Sequence, residues 1–293
     1  MIERLEAIVR EAGEHMLAFQ NPKTFVKEGH YNFVTEADLF VESFLIERIQ
    51  PLAPGACFYA EEQDNQALTD SPTWVIDPID GTTNYMRGRG VSSISVALLE
   101  GKEPVLGMVY DPYKEELFLA EKGKGATRNG QAIHVSDTPF ERALVCFGTS
   151  PYDASLARKT TSLLWPFLRD AGDLRRCGSA ALDLCDLACG RSDVFFELKL
   201  SPWDFAAGGL IGRLFPPAGQ ARAPVWNAVP HPGHESPLSG GRAGHTQRGG
   251  GMTCKWKPRT EPCACRPFSR TEPRALCAAW TREICGKARC QAW

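Results

Sequence analysis

The apolar periodicity that could build a folded core stops at Ile211, and this break constrains the chain more than any other feature. Up to that point strand-like and helix-like patterns follow one another at short intervals. From Gly212 onward the chain holds ten Gly, ten Pro, six Cys and ten Arg, but one Ile and no Asp. Charge divides at the same place. Residues 1–211 carry 20 Lys+Arg against 31 Asp+Glu, whereas residues 212–293 carry 13 against 4. The overall net charge of −2 hides this split. A segment the length of 1–211 can bury a sizeable core. It is expected to be the folded domain, and 212–293 a separate basic tail.

The N-terminal residues are charged throughout, and Ile2, Leu5, Ile8, Val9, Ala12 and Met16 recur at helical spacing, which is unlike a signal peptide. No run approaches the ~18 apolar residues of a membrane span. A cytoplasmic protein without membrane attachment is expected. Cys57, Cys146, Cys177, Cys185 and Cys189 lie mostly among apolar neighbours and read as buried free thiols.

The opening helix is expected to end near Asn21-Pro22, and the polar stretch 27–32 to lead into Phe33-Val34-Thr35-Glu36-Ala37-Asp38. Thr35 is a suitable N-cap for a helix reaching Ile49, with Asp38 in its first turn. Strands are expected at 58–60, 74–76, 92–99, 105–110, 116–120, 144–148 and 194–197, with 123–130 a turn-rich connection. Helices are expected at 155–171 and 179–190, and another starting at Pro202-Trp203-Asp204. Mixed order with hairpins predicts an α+β layered sandwich rather than a doubly wound sheet.

The chemistry is concentrated in Asp77-Pro78-Ile79-Asp80-Gly81-Thr82-Thr83-Asn84, at the end of the apolar run 74–76. Pro78 weighs against a helix across the two aspartates. Gly81 favours a tight turn that folds Asp80 back toward Asp77. Carboxylates suit hard divalent cations such as Mg²⁺. Gly81, Thr82 and Thr83 could begin a helix whose N–H groups face a phosphate. A metal site beside an anion site suggests metal-assisted phosphate chemistry. Other residues read singly as ordinary surface features: Glu61-Glu62 as a solvated acidic pair, Glu62 in particular, Lys27 as a surface lysine and Glu197 as an edge-strand charge.

Taken together, these pieces resemble the inositol monophosphatase family of lithium-sensitive, magnesium-dependent phosphatases. One family signature is matched by residues 74–84 and a second by Trp203-Asp204-Phe205-Ala206-Ala207-Gly208. Glu61-Glu62, residues 33–38 and Gly178-Ser179-Ala180-Ala181 occur in family order. The resemblance spans residues 1–211 and implies an α-β-α-β-α sandwich lacking its C-terminal strands and helix. It implies that Glu61, Asp77 and the Ile79 carbonyl hold one Mg²⁺, that Asp77, Asp80 and Asp204 hold a second, and that a third, weaker ion sits near Glu61. Li⁺ is expected to inhibit. Gly81, Thr82 and Thr83 would bind phosphate, and Thr82, bonded to Asp38, would orient the attacking water with Glu61. Lys27 would approach from a mobile loop, and Ser179, Ala180 and Glu197 would meet the polyol. The implied reaction is hydrolysis of a small phosphate monoester, with inositol monophosphate the leading substrate. A sugar phosphate, histidinol phosphate or 3′-phosphoadenosine 5′-phosphate are the alternatives. A homodimer is implied, and nucleic acid is not an expected partner. One departure inside the match is Ala60, where the family has Gly.

After residue 211 the family pattern is not recovered. A basic Pro/Gly-rich tail could bind nucleic acid, which would suit a non-catalytic protein that keeps the fold. Its six cysteines and three histidines could bind zinc, although no Cys-x-x-Cys spacing supports this. The reading favoured here is out-of-frame translation of a GC-rich gene, which over-produces Arg, Gly, Pro, Ala and Cys. On that reading the apolar faces of 194–196 and of Phe205, Leu210 and Ile211 lose partners. Unfilled space of that kind costs several kcal/mol, so poor folding or reduced activity is expected.

Overall fold

Helix α1 (Ile2–Ala18) buries Leu5, Ile8, Val9, Ala12 and Met16, the stripe its sequence spacing predicts. The computed structural model describes residues 1–27, 32–150, 153–213 and 225–227. These belong to one unit, Met1–Glu235; a second, Ser236–Trp293, lies outside the described residues, as do most of the tail's expected features.

Strands β1 (Thr24–Val26) and β2 (Phe33–Thr35) pair as an antiparallel ribbon. Helix α2 (Glu36–Ile49) starts at a capping box: the Thr35 side chain accepts from the Ala37 and Asp38 N–H groups, and the Asp38 carboxylate accepts from the Thr35 N–H. Next come β3 (Cys57–Ala60), β4 (Thr73–Asp80) and the short helix α3 (Thr82–Met86). The meander β5 (Ser93–Glu100), β6 (Glu103–Asp111), β7 (Glu116–Glu121), β8 (Gly125–Arg128) and β9 (Gln131–Ala132) follows. The second half runs β10 (Leu144–Phe147), α4 (Ala154–Asp170), β11 (Asp173–Arg175), α5 (Ala180–Ala188), β12 (Val194–Glu197), α6 (Pro202–Arg213) and β13 (Val225–Asn227).

The strands form two main sheets, one ordered β3-β4-β5-β6-β7-β8-β9 and the other β11-β10-β12-β13. Alternation along each strand divides its side chains between two cores. On the first sheet Trp74, Ile76, Ile94, Val96 and Met108 face α1 and α2. Val75, Ala97, Leu99 and Val109 share a cluster with α5 and α6 on the opposite face. On the second sheet Cys146 and Phe195 cluster with Leu184 and Leu187 of α5, while Val145, Val194 and Phe196 cluster with Leu163, Leu164 and Phe167 of α4. The layers are therefore α1/α2, sheet, α5/α6, sheet, α4, the sandwich expected from the sequence.

Several expectations need correction. The motif does not begin after the strand over 74–76: its first four residues, 77–80, are the last half of β4, and Thr82, Thr83 and Asn84 lie in α3. Pro78 has no N–H to give a ladder, and the pairing with β5 shifts register between Asp77 and Asp80, where the proline is accommodated. The stretch 123–130 contains β8 rather than only turns, and β1, β9 and β11 are additional short strands. Cys57 is exposed rather than buried. The faces expected to lack partners are covered: Val194, Phe195 and Phe196 are buried, Leu210 and Ile211 lie in the core between the sheets, and Phe205 is partly buried. Residues 225–227 pair in parallel with β12, so Glu197 lies on a strand flanked on both sides and not at a sheet edge. Among the described residues no helix is long and apolar enough to cross a membrane.

Candidate active site

The site forms where β4 ends. The parallel pairing of β3 with β4 sets Ala60 opposite Ile76, and the Glu61 N–H donates to the Ile76 carbonyl at 3.1 Å. One residue further along each strand, Glu61 and Asp77 meet side chain to side chain. Across the bulge the Ile79 N–H donates to Asp77 Oδ1 at 3.1 Å, fixing that carboxylate. Gly81 then takes φ +94°, a conformation disfavoured for residues with a Cβ. A Cβ there would also lie 3.0 Å from the Gly178 carbonyl oxygen.

Asp204 arrives from the first turn of α6, where its Oδ2 accepts from the Ser201 N–H at 2.7 Å. Gly107 on β6 allows this helix to lie against the sheet, since a Cβ there would stand 2.9 Å from the Ala207 carbonyl oxygen. The Ser95 hydroxyl donates to the Trp203 carbonyl at 3.2 Å, pinning the helix start over β5. As a result one carboxylate oxygen from each of Asp77, Asp80 and Asp204 falls within 4.8 Å of the others.

The electrostatics of this cluster are adverse to the bare carboxylates. Burial, together with the charges of Glu61, Asp80 and Asp204, pushes the Asp77 pKa well up. Burial likewise raises Asp204, with Asp80 and Glu61 adding to it. Glu61 is pushed up to about 7 by burial, with Lys27 opposing and Glu62 and Asp38 adding. Asp80 is raised by burial but opposed by donors: the Ser179 hydroxyl at 2.6 Å, the Ala181 N–H at 2.7 Å and the Ala180 N–H. Buried like charges of this kind are costly unless a cation compensates them. The donors are all oxygens, the set that hard divalent ions such as Mg²⁺, Ca²⁺ or Mn²⁺ prefer.

Asp38 and Thr82 meet as expected: the Thr82 hydroxyl lies 3.2 Å from Asp38 Oδ1 and also 3.2 Å from the Ile79 carbonyl. Asp38 Oδ2 is held by the Thr35 hydroxyl and N–H, and burial raises its pKa. Lys27 Nζ reaches Glu61 Oε1 at 3.4 Å and Glu62 at 2.5 Å. Burial works against its ammonium, but Glu61 and Glu62 outweigh that and its pKa rises. Glu62 is not a solvated acid: its side chain is 3 % exposed and ion-paired to Lys27, and its N–H donates to Glu42 Oε2 at 2.8 Å. Ser179 and Ala180 are turned toward Asp80, and Glu197 accepts from the Ser150 N–H at 2.8 Å.

Three supporting residues escape the sequence reading. Asn84 donates to the carbonyls of Val91 and Cys177 at 2.8 and 2.9 Å, tying the segment before Ser179 to α3. Arg176 contributes positive charge toward Asp80. Glu42 closes over the Glu62 backbone. Asn84 closes the quoted signature, so its place there was a signal; nothing local marks the other two.

The family model of the inositol monophosphatase family matches residues 2–213. Inositol monophosphatase 3 of Solanum lycopersicum is 38% identical over 224 residues, covering 72% of this chain and 83% of that protein. A relative named Nus factor SuhB, from Xylella fastidiosa, is 35% identical over 192 residues, 64% of this chain and 68% of its own length. The crystal structure of the extragenic suppressor protein suhB of Bartonella henselae superposes with a TM-score of 0.67 at 30% identity, covering 72% of this chain and 83% of that one. With the signature residues gathered at one buried carboxylate cluster, the chain belongs to the inositol monophosphatase family, whose members are phosphoric monoester hydrolases.

Proposed function

We propose that this protein hydrolyses a small phosphate monoester, with inositol monophosphate the leading substrate, in a Mg²⁺-dependent reaction inhibited by Li⁺. The observation that carries the reading is the meeting of Asp77, Asp80 and Asp204 within 4.8 Å, the first two buried and the third partly so. Glu61, Asp77 and the Ile79 carbonyl would hold one Mg²⁺, and Asp77, Asp80 and Asp204 a second. A third would sit near Glu61. When bound, such ions neutralise the phosphate, lower the pKa of water and stabilise the leaving alkoxide.

The chain's own residues do the rest. Thr82 Oγ1 carries one proton, and Asp38 Oδ1 and the Ile79 carbonyl are its two acceptors, each at 3.2 Å. With that proton committed, its lone pairs are available to accept one from the attacking water, which Glu61 would help to orient. Gly81, Thr82 and Thr83 would supply backbone N–H groups to the phosphate. Ser179 and Ala180 fix Asp80 and would meet the polyol from the same loop, with Glu197 beyond them. Lys27 would close the open side through Glu61 and Glu62.

Phosphate release measured with Mg²⁺ over a panel of inositol monophosphate, a sugar phosphate, histidinol phosphate and 3′-phosphoadenosine 5′-phosphate tests this. Inositol monophosphate is expected to turn over fastest, and Asp80→Asn to lose the activity. No Mg²⁺-dependent release from any member would defeat it. A second reading rests on the relatives named Nus factor SuhB: the fold serves a macromolecular partner and the basic segment 212–293 binds nucleic acid. Salt-sensitive binding that vanishes on removing that segment would favour it.

A further inference from the structure

Near Asp80 of the carboxylate cluster lies a second group of metal-ligating atoms that the phosphatase reading does not use. Cys146 sits in the middle of β10, Cys177 in the segment between β11 and α5, and Asp183 in the first turn of α5. One ligand atom from each falls within 4.8 Å of the other two. Cys146 is 3 % and Asp183 2 % exposed, while Cys177 is only partly buried and gives the group a path from solvent.

Two observations separate this group from a chance packing of thiols. Asp183 Oδ1 accepts no hydrogen bond in ordinary geometry although it is buried, and the polar group it faces is the Cys177 thiol. A buried carboxyl oxygen left without a partner is costly. The surroundings are also apolar, since Cys146 and the partly buried Cys177 pack in a cluster with Leu184, Leu187, Phe195 and Leu200. Two sulfurs and one oxygen form a softer set than the four carboxylates nearby. A tetrahedral ion with bonds of about 2.0–2.3 Å separates its ligands by roughly 3.3–3.8 Å, so small side-chain rotations close the observed spacing.

We propose that Cys146, Cys177 and Asp183 form a binding site for one thiophilic divalent cation of the zinc class, distinct from the carboxylate site. Binding displaces the thiol protons to solvent as the two Sγ–metal bonds form. The buried Ser192 hydroxyl, beside Cys146, or a water takes the fourth position. The site is coupled to Asp80 through the chain: Cys177 is two residues from Ser179, whose hydroxyl holds Asp80. The proposal does not depend on the phosphatase reading, because its test is metal binding.

The test is titration of the full-length, reduced protein with Cd²⁺ under saturating Mg²⁺, which occupies hard-oxygen sites. Sulfur-to-cadmium charge-transfer absorption reports thiolate ligation. The wild type is expected to take up one more tight equivalent than Cys146→Ser or Cys177→Ser, each of which should weaken that equivalent at least about tenfold. Asp183→Asn should weaken it as well, and Cys57→Ser should match the wild type. Near-ultraviolet circular dichroism checks that each variant is folded; if Cys146→Ser is not, Cys177→Ser at the solvent side decides. Identical Cd²⁺ titrations of the wild type and Cys177→Ser would overturn the site. So would recovery of Cys146 and Cys177 as a disulfide with no uptake after reduction.

Discussion

Asp80 shows how the chain itself organises a carboxylate of the proposed metal site. Three donors converge on it from the start of α5, and two of them, Ser179 and Ala181, bond at 2.6 and 2.7 Å. They come from about a hundred residues away in sequence, so nothing next to Asp80 announces them. Ser179 also caps α5 through the Leu182 N–H. Ser179→Ala should therefore cost about 1 kcal/mol of stability for the lost cap and roughly 10–100-fold in Mg²⁺ affinity for the lost donor. Chemical denaturation and metal titration measure the two separately. Glu42 gives a pH signature. Burial pushes it up to about 7 from 4.5, with Glu62 and Asp38 adding and the Glu62 N–H and Lys27 opposing. A carboxyl raised on folding favours the folded state while protonated. Its contribution is whole below about 4.5 and is lost as pH climbs through about 7. Glu42→Gln should flatten the fall in stability across that window, read from melting temperature against pH. At this scale Asp77, Asp80, Asp204, Glu61, Asp38 and Thr82 stood out in the sequence because each sits in a motif, and the structure brings them together. It misjudged Glu62, whose burial depends on Lys27 and Glu42 arriving from other elements.

Elements aim these side chains. Strand β4 delivers Asp77 and Asp80 to the same cluster because its ladder slips at Pro78, and α6 delivers Asp204 because β6 lets it come close. Gly107→Ala would set a methyl group 2.9 Å from the Ala207 carbonyl oxygen and 3.0 Å from its Cα, both backbone atoms that cannot rotate away. The helix must then lift from the sheet. The expected cost is about 1–3 kcal/mol, with activity falling further than stability alone explains because Asp204 moves with the helix. Thermal melting and turnover at a temperature where the variant stays folded check this. The long elements were legible from periodicity, and α2 from its cap. Strands β1, β8, β9 and β11 were not. Each has two to four residues and lies in a small ribbon or toward a sheet edge, where pairing is set by neighbours more than by a local pattern.

At the scale of the molecule, the layers bring the end of β4 and the start of α6 together at the carboxylate cluster. The order of elements showed a layered α+β sandwich and the family resemblance implied the layer order; the alternation of apolar residues, which divides each strand between two cores, is its physical basis. The structural consequence drawn from the tail did not hold. Phe195, Phe196, Leu210 and Ile211 were expected to lack partners, yet they are buried: α5 covers Phe195, α4 covers Phe196, and the first sheet with α5 encloses Leu210 and Ile211. The family match ends at residue 213; for the remainder we propose out-of-frame reading. A family-like C-terminus in another reading frame of the gene would establish it. The central claim is that the buried carboxylates act through bound Mg²⁺. The most direct test is the rate of phosphate release from inositol monophosphate as Mg²⁺ is titrated into metal-free protein, for the wild type and for Asp77→Asn. The account predicts saturable activation by Mg²⁺ in the wild type and a loss of at least about a hundredfold in the variant. Release that proceeds equally well without a divalent ion, or survives Asp77→Asn undiminished, would contradict it.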